Sequence, residues 1–350
     1  MVSATANQES RNLDLLRTVA VLAVFLAHLI LTLMPTHDVY DQVHSPAVEL
    51  LYGLGEIGVL LFFVHTSLVL LLSLERIKTG RLFFTFYIRR FFRIYPLSTA
   101  CIVTVIALRI PYVPELSYTP VGWREFLCNL FLIQNLTNVK EVVSPLWTLP
   151  WEVQMYVALP FIFVVLRRVG SIPLILLLWL GSLVAARTGL PLLSYVPCFM
   201  GGVLAYQIAK KKTMKLGGAF WLLVLLTSIA VFLFLRQRFR DAYLPECVFC
   251  LVIGAMVPQF KEFTASTFTQ ACHVIATYSY GIYLFHLPVI WFVFFKLKMW
   301  PVWAQWSALG GLMWLVPWAA YHYLESPLIQ VGRNLTFGAR SPERLAAEVS

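Results

Sequence analysis

The chain has 350 residues, 59% of them hydrophobic and only 13% charged, with a mean hydropathy of +0.76. A water-soluble surface needs far more charge, so a soluble globular protein is excluded. The net charge of +10 does not mark a nucleic-acid binder, because the basic residues fall in short clusters between apolar runs, where membrane orientation accounts for them.

Many of the apolar runs are close to the length that crosses about 30 Å of hydrocarbon, and none shows the alternation of a membrane β-barrel. The predicted fold is all-α, a polytopic integral membrane protein. Ten transmembrane helices are expected at roughly 14–34, 48–74, 96–114, 147–166, 171–186, 190–209, 216–235, 243–258, 271–295 and 301–324. A membrane domain over 1–333 is followed by a short cytoplasmic tail, 334–350. The six cysteines lie mostly inside apolar runs and read as buried spectators.

The first run, LDLLRTVAVLAVFLAHLILTL, is too long for a signal peptide and lacks a cleavage site, so it reads as a retained span. It carries Asp14, Arg17 and His28. Eleven helical steps from Arg17 to His28 return to within about 20° of the same face and rise about 16 Å. Ionisable groups at membrane depth are costly and normally face a cavity or a pathway. Asp14, about 4 Å along the axis from Arg17, is expected to pair with it, although Arg17 could also be a snorkelling anchor. In the second span, His65 of FFVHTS could line a cavity or be a packed core residue.

Residues 86–96, FYIRRFFRIYP, are expected at the inner surface, with Pro96 opening the third apolar run. Arg90 and Arg93 share a face. A guanidinium pair at the cytosolic surface suits phosphate recognition, and a plain amphipathic interfacial helix is the alternative. The long connection 115–146 contains a semi-apolar piece, Trp123–Leu136. With ten spans, seventeen Lys and Arg fall on the inner side and eight on the outer, which puts both termini in the cytoplasm. An eleventh span would place the Lys210–Lys215 cluster outside, so 123–136 is expected to be a periplasmic half-helix.

The fourth span opens with SPLWTLPWEVQMY, in which Trp147 and Tyr156 are candidate cavity-lining residues around Glu152. Glu152 sits about 7–8 Å below the outer end and His28 about 9 Å below its own. The matched depth predicts a carboxylate–imidazole pair. His286, in TYSYGIYLFHLP of the ninth span, could line the cavity or pack in the core, like His65.

LDLLRTVAVLAVFLAH, RRFFRIYP, LWTLPWEVQMY, YSYGIYLFHLP and the closing YHYLESPL together resemble the membrane acyltransferase-3 family of bacteria, over about residues 10–333. The resemblance implies a cytosolic acyl-CoA donor, acetyl-CoA by family frequency, and transfer to a carbohydrate or lipid-linked acceptor on the outer side. It implies residence in the bacterial inner membrane, in contact with its lipids, and functional roles for Arg17, His28, Arg90, Arg93 and Glu152. One departure is His65-Thr66-Ser67, where many members carry Ser-Gly. The mechanism expected from residues and resemblance together has Arg90 and Arg93 holding the phosphates, with Arg17 as a further candidate beside them. His28 acts as general base and Glu152 orients it, or His28 itself carries the acyl group. No metal or nucleic acid is expected. The competing class is a transporter or exporter of an anionic small molecule or lipid. The expected surface position of RRFFR argues against it, since transporter sites lie near the midplane.

Overall fold

A computed structural model describes residues 10–34, 45–77, 81–114, 116–211, 215–239 and 243–337. Lys78, Lys212, Arg240, Arg340 and Arg344, which contribute to the predicted charge bias, lie outside the described residues.

The described chain is helical throughout, with one isolated bridge between Leu216 and Phe260. In chain order the helices are α1 (Arg11–Leu33), α2 (Pro46–Glu75), α3 (Leu82–Ala107), the short α4 (Trp123–Leu130) and α5 (Gln134–Thr137), and α6 (Leu149–Val169). There follow α7 (Ile172–Ala186), α8 (Val196–Ala209), α9 (Ala219–Arg238), α10 (Tyr243–Met256), α11 (Thr267–Trp291), α12 (Val302–Ala319) and α13 (Ser326–Phe337). Each of the ten predicted spans coincides with a helix. Seven helical stretches among the described residues are long and apolar enough to cross a membrane alone. Three of the ten fall outside that set: α7 has 15 residues, or about 22 Å, α10 reaches only Gln259 with its closing 3-10 turn, and α12 is the third.

Two boundaries differ from expectation. The third span does not begin at Pro96. Helix α3 starts at Leu82, carries Pro96 in its interior and ends at Ala107. The arginine-rich segment is therefore part of that helix, because its guanidiniums turn inward rather than toward an interface. Arg109, expected within the span, lies past its end in a left-handed conformation, φ 52°. The boundary drawn at residue 333 falls inside α13, which continues to Phe337.

The connection after α3 does not cross. Trp123–Leu130 and Gln134–Thr137 are short helices of 8 and 4 residues, held by buried amides. The Asn129 amide donates to the Glu125 and Lys140 carbonyls and accepts from the Val142 N–H, and Gln134 donates to the Leu146 carbonyl.

Lipid tails are as apolar as leucine, so membrane helices associate through close packing rather than through the hydrophobic effect. Glycines permit that approach. A side chain at Gly58 of α2 would strike the Ala20 carbonyl and Val24 of α1, and Gly201 of α8 faces the Cys250 carbonyl of α10. Gly202 faces the Val64 carbonyl of α2. The Gly201–Gly202 pair therefore lets α8 wedge between α2 and α10. Helix α1 packs most extensively on α2 and α11, and its start is tied down by the chain that follows α10. Arg11 Nη1 donates to the Phe263 carbonyl at 2.7 Å, Asn12 Nδ2 to the Lys261 carbonyl, and the Asn12 N–H to Glu262.

Candidate functional site

Two large cavities run into the bundle, the first with the more polar lining. The first, about 500 Å³, lies toward the end where α1 and α3 begin and α2 ends. Arg17, Arg90, Arg93, His65, Glu152 and Tyr156 all line it. Arg76, Arg89 and Arg333, to which sequence reasoning gave no binding role, line it too. The second, about 400 Å³, lies toward the end where α1 finishes and α2 begins, and holds His28 and Trp147.

The arginine chamber has an uneven internal balance. Arg93 is ion-paired with Glu325, whose side chain is 1% exposed. Arg90 Nη2 donates to Ser73 Oγ at 3.2 Å, while its Nε is buried without a partner among the described residues. Arg17 has no hydrogen bond and no ion pair within 4 Å among the described residues. The expected Asp14–Arg17 pair is not formed: Asp14 bonds His273 at 3.0 Å instead and lines a third cavity of about 240 Å³ that shares Arg17 and Arg93 with the first. Helix α11 packs against α1 on the Asp14 side and captures the carboxylate, which leaves the Arg17 guanidinium for the cavity. His65 lines the chamber with no hydrogen-bond partner among the described residues. Arginines in excess of the carboxylates beside them make a site for an anion with several oxygens.

The expected Glu152–His28 pair is also not formed. Glu152 lines the arginine chamber, accepts from the Tyr156 hydroxyl at 3.3 Å, and lies within the field of Arg17, Arg93 and Arg90. Equal depth does not set direction. Helix α6 packs chiefly on α2, which turns Glu152 toward the arginines. What meets His28 is His286: its Nε2 lies 3.2 Å from His28 Nδ1. His286 is fully buried and lines neither large cavity.

Val59 and Tyr283 line both chambers and form the partition between them. The Tyr283 hydroxyl donates to the Pro145 carbonyl at 2.8 Å, so the 2.7 Å bond to Thr148 must be donated by the threonine. Phe62 backs the ring edge-on at 5.7 Å. The histidine chamber also holds Tyr52, Tyr195, and Glu56 ion-paired with Arg236 at 2.6 Å. Sequence reasoning gave no role to Tyr283, Glu325, Glu56 or Arg236. Glu325 carried one usable signal: it is an acidic residue closing the apolar run of the last span, inside a motif already noted.

Several apolar helices long enough to cross a bilayer, packed around chambers that hold buried arginines and histidines, define a multi-pass membrane protein. An acyltransferase-domain family model matches residues 10–322. The chain belongs to the acyltransferase 3 family and is an acyltransferase. No curated protein and no solved structure matches it.

Proposed function

We propose that the protein moves an acyl group, acetyl in the simplest case, from acyl-CoA to a hydroxyl of a cell-surface glycan or similar acceptor. The observation that supports this most is the division of the bundle. An arginine-lined chamber with unpaired guanidinium atoms and a histidine-lined chamber meet back to back at Tyr283 and Val59. In this reading the arginine chamber faces the cytosol of a cell with both termini inside its plasma membrane, and the acceptor enters the other chamber from outside.

Arg17, Arg90 and Arg93 hold the donor phosphates, with Arg76, Arg89 and Arg333 around them. Helix α1 provides the path, rising about 16 Å from Arg17 to His28. His28 Nε2 takes the acceptor hydroxyl proton as that oxygen attacks the thioester carbonyl carbon. The C–S bond then breaks, and His28 returns the proton to the departing thiolate. Glu152 serves the donor end rather than the imidazole: its carboxylate, held by Tyr156, spaces and orients the guanidiniums.

The test is release of free CoA from acetyl-CoA by membranes containing the protein and an acceptor extract. His28→Ala at normal protein level should lower the rate by at least about a hundredfold. An unchanged rate rejects His28 as base. Acceptor-dependent CoA release also separates transfer chemistry from transport, which consumes no thioester.

A further inference from the structure

The nitrogen of His28 that faces His286 also faces a backbone carbonyl. His28 Nδ1 lies 2.9 Å from the Val24 carbonyl and 3.2 Å from His286 Nε2. His286 Nδ1, in turn, lies 2.8 Å from the Tyr283 carbonyl and 3.3 Å from that of Ile282. A carbonyl only accepts. His286 Nδ1 must therefore carry hydrogen, which leaves Nε2 of the neutral ring as a lone pair. His28 Nδ1 must carry hydrogen for the same reason, and that hydrogen is shared between the Val24 carbonyl and His286. The tautomers of both rings follow from three carbonyls. The ring centroids are 5.0 Å apart and tilted by 47°, an arrangement compatible with an in-plane bond from one ring to the other.

We propose that His286 is the positioning residue of His28, fixing its proton on Nδ1 and so leaving Nε2 as the basic atom in the chamber. This rests on the reading of His28 as general base. His286 touches no substrate, being fully buried and outside both large cavities. It takes the place in the reaction that a carboxylate holds in a hydrolase triad, using a neutral acceptor. When His28 accepts the acceptor's proton on Nε2, its Nδ1–H becomes a stronger donor and the His286 lone pair accepts the strengthened hydrogen bond. When Nε2 gives that proton to the thiolate, both rings return to the starting tautomers. No proton passes to His286 and none is lost. A neutral partner also avoids burying a full negative charge at this depth, which is costly. A packing residue would not need the second nitrogen, since a phenyl ring fills the same space.

The experiment compares His286→Phe, which keeps bulk but removes the acceptor, with His286→Gln, whose amide oxygen can accept from Nδ1–H. Protein levels are matched and His28→Ala is the control. For His286→Phe the expected result is a fall in kcat of at least about tenfold with donor KM within about twofold; for His286→Gln, kcat stays within about threefold of wild type. Equal loss in both variants, or wild-type kcat in His286→Phe, overturns the proposal. Full activity in His28→Ala overturns the base reading itself and the positioning role with it. A second measurement needs no stable His286 variant. In the wild-type protein labelled with [15N]histidine, subtraction of the His28→Ala spectrum should show a protonated Nδ1 and an unprotonated Nε2 for His28. The reverse tautomer overturns the proposal.

Discussion

Arg17 and Arg93 sit in the same chamber yet should answer mutation in different ways. Arg17 has no hydrogen bond or close ion pair among the described residues, so Arg17→Met breaks none, and Glu152 and Glu325 keep Arg93 beside them. Protein level and thermal stability in detergent should hold, while donor KM rises about 10–100-fold, the loss of one charged hydrogen bond. Arg93→Ala instead leaves Glu325 buried and alone, with its second oxygen already orphaned. Removing one partner of a buried ion pair costs about 3–5 kcal/mol, so folded protein should drop sharply. The double variant Arg93→Met/Glu325→Leu should regain the level without regaining activity, measurable by detergent-solubilised yield beside CoA release. The candidate residues were legible individually, because an arginine, histidine or glutamate inside an apolar run is conspicuous. Their partners were not. Asp14 with His273, Arg93 with Glu325, and His28 with His286 join residues more than two hundred positions apart. Depth along a helix can be counted from sequence, but which neighbour stands at that depth depends on how the helices are arranged around one another.

At the level of the helix, close approach governs stability. Gly58 lets α1 and α2 meet where a side chain would strike the Ala20 carbonyl and Val24. Gly58→Leu must push apart the two helices that carry Arg17, His28 and His65. Overpacking of this kind costs about 1–3 kcal/mol. The expected outcome is a lowered unfolding temperature together with impaired transfer, whereas Gly310→Ala, with open space around it, should change neither. Hydropathy placed each of the ten expected spans on a helix, because it measures the apolar surface that a bilayer accepts, but it did not find α13. It misplaced the start of α3, because three arginines among aromatics lower the apolar average even where the helix continues into the bundle. The surface location that was expected for RRFFR is consequently no argument against transport. The chamber it lines contains Glu152 as well, and the case for chemistry rests on the family and on the histidine chamber.

For the molecule as a whole, the partition matters more than either chamber alone. Tyr283 and Val59 separate them, and Tyr283 is anchored by Thr148 and Pro145. In the proposed reaction the acyl end of the donor passes this partition to reach His28, and a narrow partition limits the water that follows it to the thioester, one of the roles of a closed site. Tyr283→Ala should open it and raise acceptor-independent release of CoA several-fold. Tyr283→Phe, which keeps the ring, should raise it far less. The readout is free thiol in the absence of any acceptor. No sequence pattern revealed this tyrosine, because its role comes from standing where two cavities touch.

The fixing of α1 by residues 261–263, and of His28 by His286, has a consequence for how the protein is made. Helix α1 can pack on α2 early, but the anchors of its first turn and the partner ring of His28 are synthesised some 250 residues later. A ribosome stalled before α11 would release a chain with most of its apolar helices inserted and the donor chamber partly walled. It would lack the contacts of Asp14 with His273 and of His28 with His286. Biosynthesis thereby imposes an order: α1 reaches its full set of contacts only after the helix that carries His273 and His286 has entered the bilayer.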